Sequence, residues 1–136
     1  LSTALKLAAQ SGISVHIIVP SIPDKKLVFM VTESYVEELV KAGVHVYKFK
    51  PGFIHSKMIV VDRKVAMIGT SNLDFRSLYL HLENNLWLND QQTIDDMMNY
   101  IERTLAVCII VTEGMCQRNI LYRLLQALLK SFSPML

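Results

Sequence analysis

Hydrophobic residues recur along this chain at two different spacings, and the spacing changes from segment to segment. Apolar side chains occupy every third or fourth position of residues 1–12, 91–106 and 118–131, which predicts amphipathic helices. The segment 27–42 has the same period and stops before Gly43, a residue type that commonly ends helices. We therefore expect four helices.

Shorter apolar runs lie between these segments and predict strands at 13–19, 44–49, 58–61, 65–68 and 83–88. The run at 13–19 is rich in β-branched residues, as in a strand that is buried on both faces. Asp62, Arg63 and Lys64 separate two of the runs and predict a hairpin. The order of elements predicts an α/β fold in which a mixed, largely buried β-sheet is flanked by helices.

Composition narrows the class of protein further. Hydrophobic residues make up 51% of the 136 residues and charged residues 19%, and the mean hydropathy is +0.32. A chain this apolar can bury enough surface to offset its ordering entropy, which excludes disorder. The longest wholly apolar run, 105–111, is much shorter than the roughly 20 residues that a membrane-spanning helix needs. We expect one domain over 1–136, with a helical C-terminal tail over 112–136.

The start of the chain, its charges and its cysteines add three expectations. Leu1 stands directly at the head of a helical pattern with no entry segment before it, so we expect a C-terminal fragment of a larger protein. Fourteen basic against twelve acidic residues give a net charge of +2, far from the basic excess of a nucleic-acid-binding module. Cys108 and Cys116 lack zinc-site spacing and are expected to be reduced thiols.

The stretch 53–77 holds the residues that could carry chemistry. His55 and Lys57 are two positions apart in an extended run, so their side chains leave the same face. A neutral imidazole can attack phosphorus or move a proton near neutral pH, and an ammonium beside it can hold a phosphate oxygen. Hydroxyl and amide groups at 70–72 could hydrogen-bond the same phosphate, which predicts a phosphodiester site.

These positions form the pattern H-x-K-x4-D-x6-G-T-x-N, which is made of His55, Lys57, Asp62, Gly69, Thr70 and Asn72. The pattern resembles the signature of the phospholipase D superfamily, in which Ser is commoner where Thr70 stands. The continuation N-x-D-x-R-S at 72–77, followed by Glu83, resembles more specifically the bacterial cardiolipin synthases. The resemblance covers most of this chain, but it corresponds only to the second half of such an enzyme.

The resemblance implies a role for each of these side chains. His55 would form or break a phosphohistidine, as nucleophile or as general acid/base, while Lys57 and Asn72 would bind phosphoryl oxygens. Thr70 would add a hydroxyl to the same phosphate-binding group. Glu83 would hydrogen-bond a partner histidine and fix its tautomer, as the acid of a catalytic triad does.

Asp62 belongs to the same candidate catalytic set, although we expect it to hydrogen-bond within the architecture rather than to react. No metal or other cofactor is expected, because Lys57 and Asn72 supply the electrostatic stabilisation and the sequence has no cluster with metal-ligand spacing.

The resemblance also implies a fold and a reaction. The fold would be a phospholipase D-like α-β-α sandwich, one half of a two-motif enzyme. The reaction would be phosphatidyl transfer between two phosphatidylglycerol molecules, giving cardiolipin and glycerol. The second motif would come from a half upstream in the same protein or from a second copy, so the isolated chain should be nearly inactive. We expect a peripheral or anchored protein of the bacterial inner membrane, anchored through segments absent from this chain, with the membrane surface as a partner and no nucleic acid.

Two other functions fit part of the pattern. A phosphodiesterase or nuclease of the same superfamily would use His55, Lys57 and Asn72 in the same way, but the segment 74–77 and the apolar tail favour lipid. A non-catalytic domain that retains the fold is disfavoured, because all the reactive residues are present.

Other polar residues receive structural interpretations. We interpret His16 and His45 as structural, leave His81 outside the catalytic set, and expect Asp74 and Arg76 to form an ion pair in a loop. For the leucine-rich tail we favour an amphipathic helix packed on the domain over a helix at a membrane interface.

Overall fold

A computed structural model describes residues 1–23 and 26–131 of the chain. Its α-helices are α1 (Ser2–Gln10), α2 (Lys26–Lys41), α3 (Phe75–Tyr79), α4 (Gln91–Leu105) and α5 (Ile120–Ser131), and a short 3-10 helix spans Glu113–Cys116. The strands are β1 (His16–Pro20), β2 (His45–Phe49), β3 (Met58–Val61), β4 (Val65–Gly69), β5 (Asn85–Leu88) and β6 (Cys108–Ile110). The predicted α/β class is confirmed.

The strands form two three-stranded sheets rather than the single sheet that the sequence predicts. One sheet has the order β1-β2-β6 and the other β3-β4-β5. The contacts divide the chain correspondingly into two compact units. Unit 1 comprises the described residues of Leu1–Phe53 and Cys108–Leu136, and unit 2 is Ile54–Val107.

Unit 1 is built on a mixed sheet, in which β1 runs parallel and β6 antiparallel to the central β2. Helix α2 packs against β2, α1, the 3-10 helix and α5. Its apolar face contributes to the buried cluster of Val36, Leu39, Val44, Val46 and Val111. Gly43 ends α2 with φ +90°, a conformation that side chains with a Cβ rarely adopt, so the predicted glycine stop is confirmed.

The prediction that the 13–19 run is buried on both faces is wrong. The strand starts at His16 and lies at the edge of its sheet, where Pro20 can take the last position because no ladder needs its missing N–H. Ile13 precedes the strand and is 58% exposed.

The C-terminal tail contains α5, and the buried side chain of this helix is polar. Gln126 is 4% exposed and donates to the Met30 backbone oxygen on α2 at 3.0 Å. The predicted tail runs to residue 136, of which 132–136 lie outside the described residues.

Unit 2 is an antiparallel meander followed by α4. Its fully buried apolar side chain is Ile94, at the start of α4, and Ala66 of β4 is 2% exposed. Strand β5 is open to solvent, with Leu86 61% and Trp87 68% exposed, so this sheet is less buried than the sequence suggests. Across both units, no helix in the described part of the chain combines the length and apolarity needed to cross a membrane.

Candidate active site

The segment before β3 carries the first two motif residues. The strand begins at Met58, but the Gly69 N–H donates to the Lys57 carbonyl at 3.1 Å, which extends the pairing with β4 back to Lys57. The Lys57 Nζ donates to the His55 carbonyl at 2.9 Å. His55 is exposed and Lys57 half-buried. The backbone of the motif is therefore anchored to the end of β4, while the imidazole is accessible.

Asp62 lies at the other end of the β3-β4 hairpin, within the connecting turn. Asp62 and Arg63 have φ of 52° and 53°, and the Lys64 N–H donates to the Val61 carbonyl at 3.0 Å. Two successive positive φ values are the mark of a type I′ hairpin turn, which Asp tolerates well. At about 3.3 Å per extended residue, Asp62 is about 16 Å along the chain from Lys57. The structure therefore does not bring Asp62 together with the other site residues.

Gly69 is the last residue of β4, and the backbone of residues 84–85, at the start of β5, lies very close to it. A Cβ added at Gly69 would lie 2.3 Å from the Asn84 backbone oxygen and 2.7 Å from the Asn85 Cα. Both are backbone atoms, which cannot turn aside as a flexible side chain could. The motif therefore has glycine at this position because any larger residue would push β4 and the 84–85 segment apart.

The hydroxyl of Thr70 links the end of β4 to the segment before β5. Its Oγ1 donates to the Glu83 Oε2 at 2.5 Å and accepts from the Asn84 N–H at 3.0 Å. Since a hydroxyl has one proton, Thr70 directs it to Glu83 in this structure. Thr70 thus holds the Glu83 carboxylate in place, and its contact with a phosphate stays a prediction.

Glu83 lies in the loop before β5 rather than inside a strand. The pKa of its carboxyl is lowered first by the hydrogen bond from the Thr70 hydroxyl and then by one from the Ser77 hydroxyl. Desolvation opposes these effects, while the nearby charges of His81 and Lys57 add to them. The carboxylate is therefore kept ionised, and it is electrostatically coupled to the motif lysine.

Ser77 reaches Glu83 because a short helix begins at Asp74. The Asp74 carboxylate accepts from the Ser77 N–H at 2.8 Å and caps α3, which leaves Ser77 only 7% exposed. The predicted loop ion pair between Asp74 and Arg76 is wrong, because Asp74 is the N-cap of this helix. The segment D-F-R-S therefore contributes a helix cap and a buried hydroxyl.

Asn84 and Asn85 hydrogen-bond the start of the loop that carries Asn72. The Asn85 side chain donates to the Ser71 Oγ at 2.6 Å and, at 3.5 Å, accepts from the Ser71 N–H. The Thr70 N–H donates to the Asn84 carbonyl at 3.1 Å. Asn72 is exposed and directly follows Thr70 and Ser71, the two residues held by these bonds. Ser77 belongs to the N-x-D-x-R-S pattern but was given no role from the sequence, and Asn84 and Asn85 were not predicted, although their polar side chains beside the motif were a signal.

A further contact joins the motif segment to α4. The hydroxyls of Ser56 and Tyr100 are 3.3 Å apart, so the residue between His55 and Lys57 has a partner on the helix. The structure therefore gathers Lys57, Thr70 and Glu83 at one end of the β3-β4-β5 sheet. His55 and Asn72 lie two residues from Lys57 and Thr70, on an open surface.

The described residues hold no group of three or more His, Cys, Asp or Glu side chains placed to bind a metal ion. Cys108 and Cys116 are reduced in the structure, and desolvation raises the pKa of both thiols, so neither is an activated nucleophile.

Comparison with known proteins decides the family. The sequence profile described as "Cardiolipin synthase, PLD-like domain" matches residues 1–105. The chain belongs to this family. The expected relationship to the phospholipase D superfamily is confirmed.

Individual relatives agree with this assignment. The chain is 42% identical over 135 residues to a cardiolipin synthase of Geobacillus kaustophilus, covering 98% of this chain and 27% of that protein. It is 37% identical over 134 residues to a cardiolipin synthase of Clostridium perfringens, covering 98% of this chain and 28% of that protein. The chain thus spans about a quarter of the length of the curated relatives it matches.

A solved structure supports the fold. The crystal structure of Nuc, a phospholipase D family member from Salmonella typhimurium, aligns with a TM-score of 0.70 over 82% of this chain and 72% of that chain. The sequence identity is 16%, so this likeness bears on the fold alone.

Proposed function

We propose that this chain forms one half of the active site of a cardiolipin synthase, which transfers a phosphatidyl group between two phosphatidylglycerol molecules. The observation that carries the proposal is the grouping of Lys57, Thr70 and Glu83 beside His55, in a chain of the cardiolipin synthase family. The products would be cardiolipin and glycerol.

The reaction would proceed in two displacements at phosphorus. In the first, a histidine nitrogen attacks the phosphorus of one phosphatidylglycerol, the bond to the terminal glycerol breaks, and glycerol leaves with a proton from a second histidine. In the second, a hydroxyl of another phosphatidylglycerol gives its proton to that second histidine and attacks. The P–N bond then breaks and cardiolipin forms. His55 is one of these two histidines.

Lys57 and Asn72 would stabilise the negative charge on the transferred phosphoryl group. The Lys57 ammonium gives one hydrogen bond to the His55 carbonyl, which leaves two of its three N–H donors for phosphoryl oxygens. The Asn72 amide, in the loop fastened by Ser71 and Asn85, would supply two more donors. Donors positioned in advance stabilise developing charge without reorganisation during the reaction.

Glu83 would orient the second histidine, with Thr70 and Ser77 as positioning residues. A carboxylate has about four lone-pair sites, so the two hydroxyl bonds leave capacity for an imidazole N–H. A lowered pKa suits this role, because an ionised acid holds the imidazole in one tautomer and stabilises its protonated form.

The second histidine would come from a further motif, in the remainder of a longer protein or in a second copy of this chain. The 27% coverage of the Geobacillus relative favours the first source. The proposed phospholipid substrate implies a membrane surface as partner and a location at the bacterial inner membrane. Because the residues of unit 2 carry seven acidic against five basic side chains, a nucleic-acid substrate is the weaker alternative.

An activity assay with phosphatidylglycerol vesicles tests the proposal. We expect the complete protein to release cardiolipin and glycerol in equal amounts, and the 136-residue chain alone to show almost no turnover. Cleavage of DNA by the complete protein, lost on His55→Ala, with no cardiolipin formed would overturn the lipid assignment. Robust turnover by the isolated chain, linear in its concentration, would overturn the half-site.

A further inference from the structure

Helix α5 packs on unit 1 through its polar side and exposes its aliphatic side to solvent. Its polar side chains face α2: Gln126 bonds to the Met30 carbonyl, Arg123 lies 3.6 Å from Glu37, and Lys130 pairs with Glu38. Lys130 also lies over the Tyr35 ring, 4.2 Å from its centroid. The helix is therefore attached to unit 1 through its polar side.

The opposite side of α5 is aliphatic and faces solvent. The exposed fractions are 75% for Ile120 and Leu121, 63% for Leu124, 44% for Leu125 and 58% for Leu128. At about 100° per residue these five side chains fall within an arc of about 140°. They form one continuous aliphatic face, which we call the α5 face.

Positive charge surrounds the attachment of this helix. Three carboxylates of α2, those of Glu33, Glu37 and Glu38, share six cationic partners: Lys6, Lys41, Lys48, Arg118, Arg123 and Lys130. The cluster has a net charge of +3. The side chains of Arg118 and Arg123 remain 40% and 58% exposed beside α5, so their charge reaches the surface.

We propose that the α5 face docks unit 1 on a bilayer of anionic lipids, with the aliphatic side chains in the headgroup–acyl boundary and the surplus cations near the phosphates. Exposed leucines flanked by basic residues are the composition of interfacial helices. The face lacks the Trp, Tyr and Arg anchors of protein interfaces, among which Leu is under-represented, so a lipid fits it better than a protein. The inference rests on the proposed lipid substrate, since an enzyme that acts on phospholipids works at a bilayer surface.

Cosedimentation of the purified chain with lipid vesicles tests this surface. The vesicles are phosphatidylcholine alone or phosphatidylcholine with one-third phosphatidylglycerol. The double variant Leu121→Ser/Leu124→Ser removes the centre of the α5 face. The matched control Leu7→Ser/Ile13→Ser removes two side chains of unit 1 that are each 58% exposed.

We expect binding to the phosphatidylglycerol vesicles to weaken at least about tenfold in the α5 variant, because a loss of about 1.4 kcal/mol corresponds to a factor of ten. The control should stay within about twofold. High salt should also weaken binding, by screening the cationic cluster. Circular dichroism checks that both variants keep their helices.

Three results would overturn the inference. The first is equal losses in the α5 variant and the control, and the second is equal binding to the two kinds of vesicle. The third is a dimer in analytical ultracentrifugation that the α5 variant dissolves without any vesicle binding, because a second copy would then cover the face. The variant His55→Ala should bind vesicles normally, so failure of the docking surface is distinguishable from failure of the proposed reaction.

Discussion

The two units of this chain differ in where they bury apolar side chains and where they carry charge. Among the described residues, unit 1 buries Val31 and the five members of its core cluster, whereas unit 2 buries only Ala66 and Ile94 among apolar residues. The sequence of unit 1 has nine basic against five acidic side chains, and that of unit 2 five against seven.

The larger apolar core and the candidate site therefore lie in different units. Unit 1 has the more extensive core and the surplus positive charge. Unit 2 organises its candidate site through hydrogen bonds near the surface, from Thr70 and Ser77 to Glu83 and from Asn85 to Ser71. A surface network can be precise without a large core, because each donor is satisfied by a specific partner. It also leaves His55 and Asn72 exposed at the surface.

The largest expected effect concerns one histidine in each unit. In the complete protein, His55→Ala should lower the rate of cardiolipin formation by roughly 10⁴-fold or more, the scale for losing a nucleophile or its acid/base partner. His45→Ala, which removes an exposed ring of unit 1 stacked on His16, should leave the rate within about threefold. Equal losses in the two variants would remove the functional distinction between the units.

The next effect compares the largest fully buried side chains among the described residues, Ile94 in unit 2 and Val46 in unit 1. Ile94→Ala should lower the free energy of unfolding of its unit by about 2–5 kcal/mol, and Val46→Ala by less because fewer methyl groups are lost. Hydrogen exchange should show faster exchange in β3–β5 for the first variant and in β1, β2 and β6 for the second. Uniform acceleration across both sheets in each variant would mean that the units unfold as one.

A third effect tests the close contact between Gly69 and the backbone of residues 84–85 in unit 2. Gly69→Ala should lower the free energy of unfolding by about 1–3 kcal/mol, because the new Cβ meets the backbone of Asn84 and Asn85. Gly52→Ala is the matched control, since a Cβ there has no atom within 4 Å and should change stability by less than about 0.5 kcal/mol. Denaturant unfolding of both variants measures the difference, and equal stabilities would contradict the assigned role of Gly69.

The smallest effect concerns the pKa of Glu83, which the hydrogen bonds from Thr70 and Ser77 lower. In Thr70→Val the pKa of Glu83 should rise toward its ordinary range, and in Ser77→Ala it should rise less, because the Thr70 hydroxyl has the larger influence. Carboxyl-carbon NMR titration of the chain measures this. Asp90, whose pKa is lowered by Thr93 in the same unit, is the internal control and should not move.

The sign of the accompanying pH dependence follows from the lowered pKa. The stabilisation from the bonds of Glu83 is present above the carboxyl's unfolded pKa and is lost as the pH falls through its folded pKa. Both substitutions should weaken this acid dependence. An unchanged pKa of Glu83 in Thr70→Val would contradict the network.

Periodicity predicted most of the elements, because local spacing determines which face of a segment is apolar. Strand β3 has the predicted bounds, and α4 differs from its prediction by one residue at its C-terminal end. Strand β5 begins two residues later than predicted, since Glu83 and Asn84 bond to Thr70 and not to a ladder. Strand β6 was not predicted at all: its three residues are too short to show a period, and pairing with β2 stabilises it.

Motif spacing indicated the candidate site residues, but not how they bond to one another. That Asp62 lies in the hairpin turn follows from positive φ values that spacing does not reveal. The bond from Thr70 to Glu83 joins residues thirteen positions apart, and Ser77 is buried only because Asp74 caps α3. Such contacts depend on tertiary folding, which a one-dimensional pattern cannot specify.

A crystal of the chain soaked with tungstate would show whether His55, Lys57 and Asn72 hold one phosphoryl group, as we propose. Tungstate is a tetrahedral dianion that mimics phosphate. We expect a bound ion with its oxygens about 2.7–3.2 Å from the His55 imidazole, the Lys57 Nζ and the Asn72 amide nitrogen. An ion bound elsewhere, or one that contacts Lys57 while the other two side chains point away from it, would show that these residues do not share a phosphoryl group.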